Sequence, residues 1–268
     1  MPELPEVEIV VRELRLTLIG KTFSGLNVYW QRSFRAQTED TLINRKISRI
    51  TRKGKYIILN LDRGCLIIHL RMTGQLFSGE SENYNGHKHL RIKISFKDHS
   101  PLYFIDQRKF GRIYHVDDSG EILKNVGVDA VADELSGKGF IALLNRSKMA
   151  VKAFLLCQKY VSGMGNIYTD ECLFRCGIHP LSRCENIPDL KKAELYLTIQ
   201  EILKSAILNM GTTISDYRDT YGNQGQNQKF LKIYDCDGLP CSVCGSIIKK
   251  EKIAGRGTHI CPVCQKIY

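Results

Sequence analysis

The chain has 268 residues, 43% of them hydrophobic and 25% charged, the proportions of a globular protein with ample core material in one large or two ordinary domains. Its formal net charge of +11 favours a polyanionic partner. No basic segment followed by an apolar run opens the sequence, and apolar stretches such as YIILNL and CLIIHL are strand-sized, so a soluble cytoplasmic protein with no membrane contact is expected.

The opening octapeptide MPELPEVE joins a helix start to a reactive terminus. Removal of Met1 would leave Pro2 as a free secondary amine beside Glu3. An α-amine titrates at about 7.7–8.0, well below a lysine, so much of it is unprotonated and nucleophilic at neutral pH. Its attack on a masked aldehyde gives an iminium ion, an electron sink that acidifies neighbouring C–H bonds. Read without that chemistry, the octapeptide is simply a helix start, since Pro5 suits the first turn. Val7, Val10, Val11, Leu14 and Leu18 then recur at helical spacing up to Gly20, predicting an amphipathic helix that would hold the terminus on the body.

From residue 23 to about 115 the pattern turns to strands. Tyr56–Leu61 and Cys65–Leu70 flank an Asp-Arg-Gly turn as a hairpin, residues 89–96 alternate, and Leu102–Asp106 forms a further strand. The expected fold is α+β: an N-terminal β-sandwich domain over 1–131 with the first helix packed on it, then a polar linker over 132–148. A helical domain over 149–228 would contain helices at Val151–Gln158, Asn166–Arg175 and Asp189–Met210, with Leu195, Ile199, Ile202, Ala206 and Met210 inward. Residues 216–228, DYRDTYGNQGQNQ, read as a mobile loop rather than core.

Residues 229–268 close the chain with Cys241-x-x-Cys244 and Cys261-x-x-Cys264, the two knuckles of a tetrahedral four-thiolate site for one structural Zn²⁺. The alternative is two disulfides, which a reducing compartment disfavours. The remaining cysteines, at 65, 157, 172, 176, 184 and 236, read as small apolar residues. Between the knuckles, Lys249, Lys250, Lys252 and Arg256 project from an expected β-hairpin, either a solvated basic tip or a phosphate-binding one. The turn Ser162-Gly-Met-Gly-Asn166 before a helix offers an anion site through close backbone approach, a helix dipole and an amide. Arg52-Lys-Gly-Lys-Tyr56 reads as a charged strand edge. Met72 and Phe110, by pattern, are core residues, although a thioether, the guanidinium of Arg108 and an aromatic ring would also suit the hole left by a flipped nucleotide.

These strings together resemble the formamidopyrimidine-DNA glycosylase/endonuclease VIII family of repair enzymes. MPELPEVE resembles the family's opening, in its formamidopyrimidine branch; YVSGMGNIYTDECLF followed by GIHP resembles its helix-two-turn-helix signature; and AGRGTHICPVCQK resembles its zinc hairpin. The resemblance implies Pro2 as the Schiff-base nucleophile and Glu3 as proton carrier, with Lys55 and Arg256 completing the catalytic set. It implies Asn166 and His89 as DNA contacts and Met72, Arg108 and Phe110 as the residues inserted into the duplex, Arg108 facing the orphaned cytosine. Glu6 is either a further site residue or a helix-dipole partner of the terminus. The implied activity is bifunctional: excision of 8-oxoguanine and formamidopyrimidines from damaged double-stranded DNA in base excision repair, then β,δ-elimination, by a monomer associated with the nucleoid. Within the enzyme class the alternative is a pyrimidine-lesion glycosylase, and outside it a non-catalytic DNA clamp. The chain departs from the family at Tyr-Asp-Cys236-Asp-Gly, where members often carry an Arg, in its Asn/Gln-rich 216–228 segment, and at Thr73, where some carry a glutamate near the damaged base.

Overall fold

In the computed structural model, which describes residues 1–79 and 84–268, the chain opens with helix α1 (Leu4–Leu18). Pro5 lies in its first turn, and Leu4, Val7, Val10, Val11, Leu14 and Leu18 are all buried. Strands β1 (Phe23–Val28), β2 (Phe34–Ala36), β3 (Ile47–Lys53), β4 (Tyr56–Leu61), β5 (Cys65–His69), β6 (Gly74–Ser78), β7 (Leu90–Phe96), β8 (His99–Asp106) and β9 (Arg112–Val116) follow, then the short helix α2 (Gly120–Leu123). They form a five-stranded sheet in the order β2-β9-β5-β4-β3 and a four-stranded sheet in the order β1-β7-β8-β6. The expected hairpin is present, β4 pairing antiparallel with β5 from Tyr56↔His69 to Asn60↔Cys65. Leu59, Leu66 and Ile68 of one sheet meet Ile92, Ile94 and Phe104 of the other, and the apolar face of α1 joins the same core. Each such side chain contributes about 1.5–3 kcal/mol by leaving water, so this is the sandwich that the strand alternation required.

The second part of the chain pairs β10 (Val128–Asp129) in parallel with β11 (Val161–Ser162) and adds helices α3 (Gly137–Asn145), α4 (Val151–Leu156), α5 (Asn166–Arg175) and α6 (Asp189–Leu208). It ends in the antiparallel hairpin β12 (Lys249–Ile253) and β13 (Arg256–Ile260). The two-residue turn Ala254-Gly255 has φ of 51° and 72°, the left-handed pair that a tight hairpin demands and that Gly255 eases. Lys249, Lys250, Lys252 and Arg256 are exposed on it, as expected.

Four features differ from the sequence reading. The stretch 132–148 is not a plain linker, because Ser136 caps α3 by accepting from Gly139 N and buries Phe140 and Leu144 one turn apart. Met210 does not face inward; the chain turns left-handed there (φ 59°), ending α6 at Leu208 and leaving Met210 42% exposed. Residues 216–228 are anchored: Tyr217 enters the sandwich core, and Glu13 of α1 accepts both the backbone N–H and the hydroxyl of Thr220 at 2.8 and 2.7 Å. Accordingly the chain divides into one unit of Met1–Lys124 with Asn209–Gln228 and another of Asn125–Leu208 with Lys229–Tyr268, so 209–228 goes with the strands rather than the helices. Among the described residues no helix is long and apolar enough to cross a membrane.

Candidate active site

Pro2 and Glu3 are buried at the head of α1, and Glu3 is its N-cap. A capping box closes this end: Glu3 accepts from the backbone of Glu6, and Glu6 Oε2 accepts from Glu3 N at 2.7 Å. The second oxygen of Glu6 accepts from Thr212 N at 2.8 Å. One buried carboxylate thus holds the peptide that follows Pro2 and the start of the 212–228 segment. That accounts for Glu6 as a brace.

Lys55 is 6% exposed and occupies the turn between β3 and β4. This turn is tied to α1 because Arg52 donates from Nε to Glu8 at 2.8 Å and from Nη1 to Gly54 O at 2.9 Å. Beside it His69 is pushed down to about 3, by burial first and then by the positive charges of Arg71 and Lys55. The imidazole is therefore neutral, and its Nδ1 accepts from Arg71 N at 2.9 Å, closing the turn that leads to Met72.

Met72, Arg108 and Phe110 do not belong to the core: Met72 is half-buried, Arg108 is exposed, and Phe110 is 46% exposed. The Arg108 guanidinium lies 4.9 Å from the centre of the Phe110 ring, so the two project together. Beneath them Asp106, fully buried, accepts from Thr73 Oγ1 at 2.5 Å and from Gly111 N at 2.7 Å. Thr73 Oγ1 in turn accepts from Arg108 N at 3.1 Å. Here the Thr73 hydroxyl is committed to holding the turn. His89 lies nearby in the fold, its Nδ1 3.3 Å from Arg91 Nη2, and Arg91 Nε donates to Asp106 O at 2.8 Å. Partial burial, with Lys88, Arg91 and His87 around it, holds His89 below its ordinary range.

In the second unit Asn166 opens α5, and its Nδ2 donates to Gly257 O at 2.8 Å, joining the Gly-rich turn to β13 next to Arg256. Gln158 braces the turn, accepting from Gly163 N and donating to Met164 O, both at 2.9 Å. Further along α5, Asp170 takes Lys152 Nζ at 2.5 Å and His259 N at 3.0 Å. Glu171 accepts from Ile233 N and Tyr234 N, both at 2.9 Å, although burial pushes its carboxyl up. One helix therefore carries the Gly-rich turn at its start and fixes the cysteine-bearing segment with its buried acids.

Residues 1–113 match the family model of the formamidopyrimidine-DNA glycosylase N-terminal domain, residues 126–218 that of the formamidopyrimidine-DNA glycosylase H2TH domain, and residues 238–267 that of the zinc finger found in FPG and IleRS. A formamidopyrimidine-DNA glycosylase of Pelotomaculum thermopropionicum is 36% identical over 277 residues, with 100% of both chains covered. The chain belongs to the formamidopyrimidine-DNA glycosylase family. A second such protein, from Oceanobacillus iheyensis, is 37% identical and covered to 98%, with 99% of this chain aligned. Among solved structures, MutM (FPG) of Thermus thermophilus superposes with a TM-score of 0.89 at 34% identity, covering 98% of each chain. Lactococcus lactis Fpg in complex with DNA containing an abasic site superposes at 0.88, again at 34% identity, covering 98% of this chain and 99% of that one. Membership makes the chain an enzyme, a DNA glycosylase carrying a zinc finger.

The zinc finger of this glycosylase is assembled as its spacing requires. Cys241 and Cys264 Sγ lie 3.8 Å apart, Cys244 and Cys261 Sγ 3.4 Å, and all four within 4.8 Å of one another. Tetrahedral Zn²⁺ with bonds of about 2.3 Å needs sulfurs about 3.8 Å apart, so the four thiolates fit one ion and leave no open position. The metal is structural. Cys65, Cys176 and Cys184 are buried, which pushes each thiol up to about 11, the behaviour of inert packing residues. The positioning carboxylates Asp106, Asp170 and Glu171 carry no sequence motif of their own. Asp170 and Glu171 take partners 18 to 89 positions away, and Asp106 joins the nearby Arg108 N and Gly111 N to Thr73, 33 positions back, so no local pattern announces them.

Proposed function

We propose that the chain is a bifunctional DNA glycosylase/AP lyase of base excision repair, removing oxidised purines (8-oxoguanine and formamidopyrimidines) from duplex DNA. The observation that carries this reading is the mounting of Pro2: the residue that becomes the terminal amine once Met1 is removed is buried at a capped helix end, beside a buried carboxyl group. The Pro2 nitrogen bonds to C1′ of an extruded nucleotide as the glycosidic bond breaks and its electron pair leaves with the base. Glu3 donates a proton to the sugar ring oxygen, the ring opens, and C1′ becomes an iminium carbon. Loss of a C2′ proton then expels the 3′ phosphate, and a second elimination expels the 5′ phosphate. Lys55 and Arg256 offset the charge of flanking phosphates, while Asn166 and His89 fix the backbone. Met72, Arg108 and Phe110 fill the stack, which recovers part of the few kcal/mol that flipping costs. In this reading the strand-rich N-terminal part carries the chemistry, the protein acts as a monomer, and double-stranded DNA is its partner.

Two relatives' structures support the substrate class: one is a Lactococcus lactis FPG mutant in complex with a Fapy-dG containing DNA, and another is MutM in complex with carbocyclic 8-oxo-G containing DNA. Incubation of purified protein with an 8-oxoguanine–cytosine duplex and borohydride tests the reading. A covalent adduct mapping to Pro2 is expected. Absence of any adduct from Met1-free protein, on this duplex and on an abasic-site duplex, would overturn it.

A further inference from the structure

We infer that Asp106 is the positioning residue that sets Met72, Arg108 and Phe110 as one rigid unit, and through them the choice of the base opposite the lesion. The inference rests on the reading above, in which these three side chains enter the duplex.

Each of the three lies no more than one peptide from a group that Asp106 holds. Thr73, which follows Met72, donates its hydroxyl to Asp106 Oδ1 at 2.5 Å. Arg108 N donates to that same oxygen at 3.2 Å and to Thr73 Oγ1 at 3.1 Å. Gly111 N, the next peptide after Phe110, donates to Oδ2 at 2.7 Å. The backbone of Asp106 extends the connection, its N donating to His89 O at 2.9 Å and its O accepting Arg91 Nε at 2.8 Å. Strand pairing brings these pieces together, since Gly74 at the start of β6 lies opposite Asp106 at the end of β8. The approach is tight: a Cβ on Gly111 would stand 2.3 Å from the Phe104 ring and 3.2 Å from Asp106 Oδ2, so the third anchor needs glycine.

The chemistry of the node favours positioning over packing. Asp106 is fully buried, and its two oxygens are directed at two backbone N–H groups and one hydroxyl. Above it the side chains of residues 107–110 are exposed, and Lys109 adopts φ of 62°. An exposed loop of this kind would otherwise have to be ordered each time DNA is bound, at a cost in affinity and rate. Asp106→Asn keeps the shape but turns one acceptor into a donor, which would face an N–H group or the Thr73 hydroxyl. Thr73→Val removes the link from Met72 to Arg108 while leaving the Asp106–Gly111 bond in place.

Single-turnover excision on duplexes with 8-oxoguanine opposite cytosine or adenine, beside strand cleavage at a preformed abasic site, tests the inference on the full-length zinc-loaded protein. Asp106→Asn and Thr73→Val are expected to slow excision on the order of 10- to 100-fold and to flatten the preference for cytosine. Cleavage at the abasic site, which needs no base extrusion, should change less than about threefold, and Thr73→Ser should restore both rate and preference. Wild-type excision and preference in Thr73→Val would overturn the inference even if Asp106→Asn fails to fold. So would equal losses on lesion and abasic duplexes, which mark a purely structural role. A wild-type protein silent on every duplex would overturn the underlying functional reading instead.

Discussion

On one carboxylate Glu6 accepts from Glu3 N, 3 positions before it, and from Thr212 N, 206 positions after it. Glu6→Gln keeps the shape and removes one acceptor, so either Glu3 N or Thr212 N is left buried without its partner. That loss costs about 1–3 kcal/mol. A drop in melting temperature and a slower borohydride trapping rate, with DNA affinity nearly unchanged, are the expected outcomes; trapping at the wild-type rate would show that the brace does not set the nucleophile. Pro2→Gly makes a sharper demand, retaining duplex binding in a mobility-shift assay while losing most strand cleavage. His69 contributes to the acid sensitivity of the same unit. Its folded pKa of about 3 lies below the ordinary 6.5, so the folded state binds fewer protons in that interval. Its contribution is fully present above about pH 6.5 and is lost as the pH falls towards 3, by up to ~1.4 kcal/mol per pH unit. Thermal melts of His69→Asn between pH 7 and 4 should show a shallower decline than wild type.

At the scale of elements, α5 deserves comparison with α1, because each is a short helix whose buried acids hold distant chain. Lys152→Met would take the ammonium away from the buried Asp170 carboxylate, which otherwise meets the backbone N–H and imidazole of His259, and removal of one member of a buried pair costs about 3–5 kcal/mol. Calorimetry should record that loss, with zinc bound less tightly because β13 loosens. An unchanged melting curve would show that the pair is not needed. The same helix shows what could be read in advance. The Gly-rich turn, Asn166 and both cysteine knuckles were legible, because positive φ, helix starts and thiolate geometry demand particular residue types at short spacing. Amphipathic α1 and the β4–β5 hairpin were legible from apolar periods of the same local kind. Glu171 was not, since the N–H groups it accepts lie 61–63 positions onward. Nor was the course of 216–228, whose polar letters suggested solvent until Glu13 supplied the partner for Thr220. Long-range hydrogen bonds leave no periodic trace.

For the whole molecule, net charge and the zinc site make testable demands on DNA binding. The net charge of +11 predicts binding that weakens steeply with salt, and Arg256→Ala should reduce the slope of log affinity against log salt by about 1 if that side chain meets one phosphate. Cys244→Ser should release the zinc ion and weaken duplex binding at least tenfold (about 1.4 kcal/mol), because the basic hairpin depends on the closed thiolate site. Metal analysis and anisotropy on one preparation check both; wild-type affinity in a zinc-free mutant would remove the hairpin from the grip.

The strand unit is built from two stretches of chain, Met1–Lys124 and Asn209–Gln228, and this sets a timetable for its birth. On the ribosome, α1 emerges with Glu6 and Glu13, while Thr212 and Thr220 follow 206 and 207 residues later. At about 5–20 residues per second that is a delay of roughly 10–40 s. For that interval two carboxylates destined for burial stay without their late partners, and the head of α1 lacks the Glu6–Thr212 bond. On the proposed reading of Pro2, a nascent chain stalled before Thr212 would bear the amine without the Glu6–Thr212 brace and is expected to trap an abasic-site duplex more slowly than the finished chain.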